Sequence, residues 1–300
     1  MDRRLARHYL DFAIPLRRRV WPDYWLSPAK ADLIEKIMGG SLQLACAHVE
    51  QSGRYNPASV STTAVTEGDS IVLNGEKISV LNGANADKLL VVARESGETT
   101  AKEGISVFIV DARNEGVEIQ SYTNVDGKNA AKITLTSVNI SVDSRLGAAG
   151  KALPGLESGI DRATLAVCAE AVGSLEALLK KTVEYSKIRK QFGTPIGTFQ
   201  ALQHRMADMF IECQLARSIV IMAAMSLDSN DSDAEKSKAV SAAKSRIGKA
   251  IRKVGQESIQ IHGGIGVTNE LDISHLFKSV TALDVMFGNS DYHTKRFSSL

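Results

Sequence analysis

Cysteine is scarce in this 300-residue chain, and the three present, Cys46, Cys168 and Cys213, lie far apart without Cys-x-x-Cys spacing. Their scarcity excludes a disulfide framework and a cysteine zinc site, and it favours a reducing, cytoplasmic location. The six histidines also lack the His-x-x-x-His and His-Glu-x-x-His spacings of metal sites. The sequence therefore predicts no bound metal.

An excess of charge of one sign is also missing. Thirty-six Lys and Arg against 34 Asp and Glu leave a formal net charge of +2, too weak a field to predict nucleic acid as the main partner. No run approaches the roughly 18 apolar residues of a membrane span. The nucleophile elbow of hydrolases and the P-loop of NTPases are absent. With 44% hydrophobic and 23% charged residues, the composition is that of a soluble globular protein.

The first 26 residues combine arginines with apolar side chains, and two interpretations stay open. The pattern is compatible with a transit peptide, although Asp2, Asp11 and the near absence of serine weigh against it. The alternative is a helix and turn at the rim of a domain, with the arginines solvated. We favour the second interpretation. The residues concerned are Arg3, Arg4, Leu5, Arg7, Leu10, Phe12, Ile14 and Arg17–Arg19.

Residues 61–142 have the pattern of short strands and tight turns that is typical of an antiparallel β domain. Short apolar runs alternate with glycine-containing dipeptides that supply the positive φ of tight turns. The alternation along 132–142 changes phase at Thr136–Ser137, which predicts a bulge or a strand break there. The dipeptides are Asn74-Gly75, Asn82-Gly83, Glu115-Gly116 and Asp126-Gly127.

After the Gly-rich segment 146–150 the apolar period becomes helical. It predicts one helix over about 161–190 and a second over about 199–227. Ser232 and Glu235 form a capping-box pattern that opens a third helix, ending near residue 261. A fourth helical segment begins near residue 273. Long helices joined by brief loops predict a bundle, and their wide apolar stripes make self-association an expectation.

Two loops at the ends of these helices carry groups suited to a dinucleotide. The first joins Arg189, Phe192 and Gln200, which offer a guanidinium for a pyrophosphate, an aromatic ring and an amide. The second joins Gln260 to Gly263-Gly264, where backbone amides can approach a phosphate closely. Structural alternatives remain open for both, because cations favour helix C-termini and glycines cap them.

Four segments of the chain together resemble the acyl-CoA dehydrogenase family. They occur in the family's order, and the resemblance covers about residues 26–300. It implies an α+β fold with an N-terminal helical domain, a middle antiparallel β-barrel and a C-terminal four-helix bundle. The segments are Thr63–Asp87, Gly104–Ala112, Tyr185–Met209 and Gln260–Glu270.

On this resemblance we place the domain boundaries at 1–44, 45–147 and 148–300. The first domain is expected to be a shortened remnant, because the segment Leu26–Gly40 normally follows several helices that the sequence lacks. The chain is then either a naturally shortened family member or one whose true start lies upstream.

The resemblance also implies a reaction and its partners. Family members convert an acyl-CoA to a trans-2-enoyl-CoA, with a glutamate removing the α-proton and FAD accepting the β-hydride. Expected partners are an acyl-CoA substrate, a homologous large subunit or further copies in a dimer or tetramer, and an electron-transfer flavoprotein. By motif match the FAD contacts are Arg189, Phe192, Gln200, Gln260, Gly263, Gly264, Leu81 and Ser290, the first six reaching the FAD of a neighbouring subunit.

The chain departs from the family pattern at the positions of the catalytic base and beside the flavin ring. Gly288 and Ala163 occupy the two positions at which the family carries its catalytic base, and neither has a carboxylate. Asp291 is the candidate substitute nearest in sequence. Ser79 and Leu81 stand where a tryptophan and a hydroxyl residue usually flank the isoalloxazine.

Within the family, four segments resemble most closely the small subunits of pimeloyl-CoA dehydrogenases, which work beside a homologous large subunit. We therefore expect a small subunit of a heteromeric flavoenzyme that lacks the usual glutamate. The alternatives are a homomeric dehydrogenase with a displaced base such as Asp291, and a non-catalytic interaction protein that binds no flavin. The segments are Glu50–Pro57, Cys168–Leu178, Phe199–Arg205 and Phe287–His293.

Overall fold

The computed structural model describes residues 28–300. The expectations for the arginine-rich first 26 residues lie outside this part. The chain divides into two compact units, one ending at Ile160 and the other running from Asp161 to Leu300.

The first unit contains helix α1 (Pro28–Met38) and an eight-stranded sheet. The strand order is β6-β7-β3-β2-β4-β5-β8, with β1 on β4. The strands are β1 (Leu44–Ala47), β2 (Thr63–Glu67), β3 (Ser70–Leu81), β4 (Lys88–Arg94), β5 (Ile105–Asp111), β6 (Val117–Thr123), β7 (Asn129–Ser141) and β8 (Arg145–Leu146).

The predicted β domain is present, and most of its strand pairs are antiparallel. The sheet is nevertheless mixed, because β1 runs parallel to β4 from Leu44 opposite Lys88 to Ala47 opposite Val91. Parallel neighbours need a long crossover, and here β2 and β3 lie in the chain between the two strands. A reading of adjacent turns cannot reveal such a non-local pair.

The predicted irregularity at Thr136–Ser137 is confirmed as a bulge. Leu73 pairs with Val138 and Gly75 with Leu135, so β7 holds one extra residue between the two pairs. Ser137 has φ 50°, and its N–H donates to Asn74 Oδ1 at 2.7 Å. The bulge lets β7 keep its apolar residues on the core face on both sides of the phase change.

The second unit is helical, as predicted, and its capping box is confirmed by reciprocal hydrogen bonds between Ser232 and Glu235. Two boundaries differ from prediction. Helix α2 begins at Leu153, eight residues before the second unit itself starts, and Pro154 is tolerated in its first turn. The segment after residue 273 forms two helices. The helices are α2 (Leu153–Ile188), α3 (Gln200–Asp228), α4 (Asp233–His262), α5 (Asp272–Val285) and α6 (Ser290–Ser299).

Helix α3 has two apolar faces. Met209, Cys213 and Ala216 pack in the bundle core, while the opposite side exposes a row of large apolar residues. Within the described chain, α3 is the helix long and apolar enough to cross a membrane, with mean hydropathy 1.5 over an 18-residue stretch of which 28% is buried. The exposed residues, called here the α3 apolar face, are Phe210, Ile211, Leu215, Ile221, Met222 and Met225.

Candidate functional site

The loop after α2 is a two-residue hairpin that presents an aromatic ring. Strand β9 (Lys190–Gln191) pairs with β10 (Thr194–Pro195), and Phe192 and Gly193 have φ 53° and 80°. Positive φ at both central positions is type I′ geometry, which is strained for a phenylalanine. The side chain of Phe192 is 93% exposed. Strain that holds an aromatic ring in solvent is typical of a loop that contacts a ligand or partner.

The backbone of this loop is firmly anchored. Ile196 is buried and its N–H donates to the Arg189 carbonyl at 2.8 Å. A Cβ at Gly197 would lie 2.8 Å from Ser186 Oγ, so the chain passes α2 too closely for a side chain. Arg189 and Gln200, by contrast, are exposed. The loop is thus a fixed support for accessible side chains.

The second predicted loop, at the end of α4, leaves its backbone open. Gly263 has φ 68°, which favours glycine. Gly264 has no such conformational reason, and a Cβ there would meet nothing within 4 Å. No steric contact within the described chain therefore requires glycine at 264. A ligand that approaches the backbone closely would supply the requirement.

Two aromatic side chains bring these loops together. Tyr185, in the last turn of α2, stacks on His262 at the end of α4, with ring centroids 4.3 Å apart. The Tyr185 hydroxyl donates to the His262 carbonyl at 3.4 Å. Arg189 follows Tyr185 by four residues and Gly263 follows His262 directly, so the two candidate loops are neighbours.

Sequence reasoning missed this pair, although both residues lie in the segments that carry the resemblance. His262 donates from Nδ1 to the Ser258 carbonyl at 2.8 Å, and burial lowers its pKa. A neutral imidazole stacked on a phenol is a positioning device for the two loops.

The segment that resembles the family's base position forms a tight turn. Phe287 and Gly288 have φ 55° and 110°. A Cβ at Gly288 would collide with the ring of Tyr292 and lie 2.8 Å from His293 Nε2. His293 Nε2–H donates to the Phe287 carbonyl at 2.9 Å, which holds the turn in place. Position 288 therefore has no room for a side chain of any kind.

The remaining predicted site residues differ in accessibility. Ala163 is buried on α2, and Asp291 is exposed on the first turn of α6. Ser290 is buried, and its hydroxyl donates to the Ser245 carbonyl at 3.2 Å. Leu81 is half-buried at the end of β3. Neither Ala163 nor Asp291 is a buried carboxylate poised to take a proton.

A carboxylate that the sequence analysis did not single out lies on α5. Oδ1 of Asp284 is buried and has no hydrogen-bond partner in the described part of the chain, and burial raises the pKa of this carboxyl. The Lys244 ammonium donates to the carbonyls of Leu283 and Asp284 at 2.5 and 2.8 Å. No sequence motif marks Lys244 or Asp284, because these contacts form only when α4 packs on α5.

Glu50, the first residue of the segment Glu50–Pro57, has a structural role. Its carboxylate accepts from Lys77 Nζ at 2.6 Å and from the Thr62 hydroxyl at 2.7 Å. The N–H groups of Ser61 and Thr62 donate as well, at 2.6 and 3.0 Å. Burial opposes ionisation, yet Lys77 and these hydrogen bonds lower the pKa of Glu50. A carboxylate held ionised by four donors is a poor proton acceptor.

The described residues contain no cluster of three or more potential metal ligands. All three cysteines are free. Burial raises the pKa of the Cys168 thiol to about 12 and of the Cys46 thiol to about 11. Thiols this poorly ionised are packing groups rather than nucleophiles.

Two domain families match the chain over most of its length. The acyl-CoA dehydrogenase middle domain matches residues 45–139, and the acyl-CoA dehydrogenase C-terminal domain matches residues 156–298. The chain belongs to the acyl-CoA dehydrogenase family. Members of this family are FAD-dependent flavoproteins that act as oxidoreductases on CH–CH groups.

Three curated relatives illustrate the range of the similarity. A 3-(aryl)acrylate reductase of Clostridium sporogenes is 29% identical over 87% of this chain and 69% of its own length. The probable acyl-CoA dehydrogenase YngJ of Bacillus subtilis is 31% identical over 81% and 64%. The caffeyl-CoA reductase-Etf complex subunit CarC of Acetobacterium woodii is 29% identical over 86% and 68%. The chain thus spans about two thirds of the length of each of these three relatives.

Solved structures agree with the family assignment. An FAD-dependent dehydrogenase superposes with a TM-score of 0.88 at 27% identity, covering 98% of this chain and 77% of the other. The acyl-CoA dehydrogenase of Geobacillus kaustophilus gives 0.86 at 25%, covering 92% and 73%. The acyl-CoA dehydrogenase fold predicted from the sequence is confirmed.

The residues present fit the FAD that the family binds. Phe192 offers an exposed ring, and Gly264 offers backbone at which an added Cβ would meet none of the described residues within 4 Å. Arg189, Gln200 and Gln260 are exposed polar side chains beside them. A guanidinium, two amides, a ring and open backbone amides match the charged, polar and aromatic parts of a dinucleotide.

Proposed function

We propose that this chain is an FAD-binding subunit of a heteromeric acyl-CoA dehydrogenase and that a homologous larger subunit supplies the catalytic base. Four segments of the chain resemble the small subunits of pimeloyl-CoA dehydrogenases, which work beside a homologous large subunit. The proposed location is the cytoplasm. The single observation that carries the proposal is the turn at Gly288, where a base is absent and a side chain has no room.

The cofactor contacts come from the two neighbouring loops. Arg189 would bind a pyrophosphate oxygen, and Gln200 and Gln260 would donate to polar edges of the dinucleotide. Phe192 would exclude water from that contact, and Gly263-Gly264 would donate backbone N–H groups. Bound FAD would supply the hydride acceptor for oxidation of the acyl-CoA. This chain's residues hold and orient it, because none of those assigned here removes a proton.

The α3 apolar face supports assembly with a partner. Its six large apolar residues are exposed on one side of a long helix, and exposed patches of this kind mark protein interfaces. Because the proposed FAD contacts serve a neighbouring subunit, an interface is also a functional requirement. The proposed occupant is the homologous large subunit, with a second copy of this chain as the homomeric alternative.

Co-expression with the homologue tests the proposal. The purified complex is expected to be yellow, to contain both chains and to oxidise an acyl-CoA with ferrocenium as acceptor. The chain expressed alone should show no turnover. Turnover by the chain alone would contradict the missing base, and a colourless complex would contradict the flavin role.

Replacement of single loop residues sharpens this test. Arg189→Met should raise the dissociation constant of FAD by roughly tenfold or more, because one charge-assisted hydrogen bond contributes about 1.5–3 kcal/mol. Lys190→Met, the adjacent exposed cation, is the matched control and should leave FAD affinity unchanged. Equal losses in both variants would indicate a general effect of positive charge instead.

A second candidate is a homomeric dehydrogenase with a displaced base, and Asp284 favours it over the substitute expected from sequence. The buried Oδ1 of Asp284 has no hydrogen-bond partner within residues 28–300, whereas Asp291 is exposed. If the chain alone is active, Asp284→Asn should abolish turnover while Asp291→Asn preserves it. An active Asp284→Asn variant eliminates this candidate.

The electron partner and the direction of the reaction follow from the relatives as proposals. One relative is a subunit of a caffeyl-CoA reductase-Etf complex and another is an arylacrylate reductase. We propose that an electron-transfer flavoprotein exchanges electrons with the assembled enzyme. Assays with acyl-CoA plus oxidised acceptor, and with enoyl-CoA plus reduced acceptor, distinguish oxidation from reduction.

A further inference from the structure

One row of side chains interrupts an otherwise polar face of the sheet. On β6, Val117 and Ile119 pack against the core, so Glu118, Gln120 and Tyr122 face outward, because side chains alternate along a strand. Glu118 lies opposite Thr134, and Glu76 forms an ion pair with Lys132 at 2.7 Å. An outward aromatic residue at the end of such a face breaks its pattern.

The register places Tyr122 in line with Leu81. Tyr122 pairs with Ala130 on β7, and Ala130 pairs with Leu81 on β3. Residues directly opposite one another project to the same face of a sheet. Tyr122 is 41% exposed, and the small Ala130 between the two larger residues is buried. The three residues form an apolar patch, called here the Tyr122 row.

A bulge in β3 gives this row its shape. Lys77 pairs with Ile133 and Val80 with Ala131, so β3 holds one extra residue there, and Ser79 has φ 52°. The Tyr122 hydroxyl on β6 donates to Ser79 Oγ on β3 at 3.5 Å. Because β7 lies between these strands, the tyrosine ring must cross above Ala130. The ring therefore lies between Ser79 and the open edge of the sheet.

We infer that Tyr122 provides the aromatic wall of the flavin-ring site in this subunit. The inference rests on the proposed FAD-binding function. Ser79 and Leu81 occupy the positions that the family resemblance assigns to the isoalloxazine, and Ser79 replaces an aromatic side chain there. Tyr122, on β6, places an aromatic ring beside Ser79 on β3. A planar aromatic ligand gains stacking energy from such a ring that serine cannot supply.

Titration with FAD of the deflavinated full assembly, containing this chain and its partner, tests the inference. Tyr122→Leu should raise the dissociation constant of FAD by about threefold to tenfold, the range expected for one aromatic stacking contact. It should also increase the fluorescence of bound flavin, because a phenol quenches an adjacent flavin by electron transfer. Tyr122→Phe should keep wild-type affinity and still show increased fluorescence, because its ring stacks but is a poor electron donor.

Gln120→Leu is the matched control, since Gln120 lies on the same strand and face and is exposed. It should leave both affinity and fluorescence at wild-type values. If the wild-type assembly binds FAD and Tyr122→Leu changes neither readout, the role of Tyr122 is refuted while the proposed function stands. If the wild-type assembly binds no FAD, both fail together.

Discussion

At the scale of single residues, the turn at Gly288 is expected to require glycine for stability. Replacing it with alanine should destabilise the protein by about 2–4 kcal/mol, because positive φ and a close aromatic ring both oppose a Cβ. Urea unfolding measures the loss. Gly173→Ala, within α2 where a Cβ meets nothing within 4 Å, should instead stabilise by about 0.5–1 kcal/mol. Destabilisation by both variants would show that added bulk alone is responsible.

A second residue-scale prediction concerns acid stability. Burial, with the charges of Lys244 and Arg296, lowers the pKa of His293 to about 4 from 6.5. The unfolded chain binds this proton below pH 6.5 and the folded chain only near pH 4. The unfolded state therefore binds more protons in this window, and stability falls as pH falls. The expected contribution of His293 is about 3 kcal/mol between pH 7 and pH 4.

Equilibrium unfolding in urea at pH 7.5, 6 and 4.5 measures this dependence. His293→Gln, which can still donate to the Phe287 carbonyl, should show a shallower decline than the wild type. Burial and Lys77 also lower the pKa of His48 to about 4. The part of the loss of stability at low pH that comes from His48 should therefore remain in the His293→Gln variant. An identical pH profile in wild type and variant would exclude His293 as a source.

At the scale of elements, one buried guanidinium shapes the loop between β4 and β5. Arg94 donates hydrogen bonds to six carbonyls around it. Arg94→Met should cost about 3–5 kcal/mol and expose residues 95–104 to proteolysis, because buried carbonyls lose their donors. Limited trypsin digestion followed by mass spectrometry locates the cleavage. The carbonyls belong to Ala58, Val60, Ser96, Thr99, Ala101 and Glu103.

A matched control for this loop is Arg113→Met, which removes an arginine from another turn of the same unit. The side chain of Arg113 is exposed, so its substitution should leave both stability and proteolysis nearly unchanged. A loop that stays protease-resistant in Arg94→Met would mean that the strands alone fix its course.

Some elements of this fold could be predicted from the sequence and others could not. The capping box at Ser232 and the bulge at Ser137 follow from a few neighbouring residues, and both are confirmed. The parallel pairing of β1 and the break at Phe287 were missed. The first depends on β4, more than 40 residues further along the chain, and the second on the contact that His293 makes with the Phe287 carbonyl once the two helices have turned. Local patterns determine turns and caps, while pairing across the chain needs the fold.

At the scale of the whole molecule, the family could be predicted from sequence because its motifs are contiguous, and the same motifs single out the two loops proposed to bind FAD. The loops were identified separately, at Arg189–Gln200 and Gln260–Gly264. Their proximity through Tyr185 and His262 required the packed helices. The same holds for Asp284, whose buried carboxylate follows from helix packing and not from any motif. Chemistry in separate segments becomes a site only after folding.

If subunits assemble through the α3 apolar face, a charge placed on this face should weaken both assembly and FAD binding. Leu215→Lys or Met222→Lys places an ammonium in the proposed interface, where desolvating an unpaired charge is costly. Subunit affinity should fall by roughly 100-fold, an expectation that analytical ultracentrifugation checks. Flavin content should fall in parallel, because the FAD loops serve a neighbouring subunit in the proposed assembly.

Gln256→Lys adds the same charge at an exposed position on α4 and should alter neither property. If the assembly dissociates while flavin stays bound, the two loops hold FAD within one chain and the shared-site proposal is wrong. If the assembly stays intact, subunits meet through another surface. Parallel loss of assembly and flavin is the result that only a cofactor site completed by two subunits predicts.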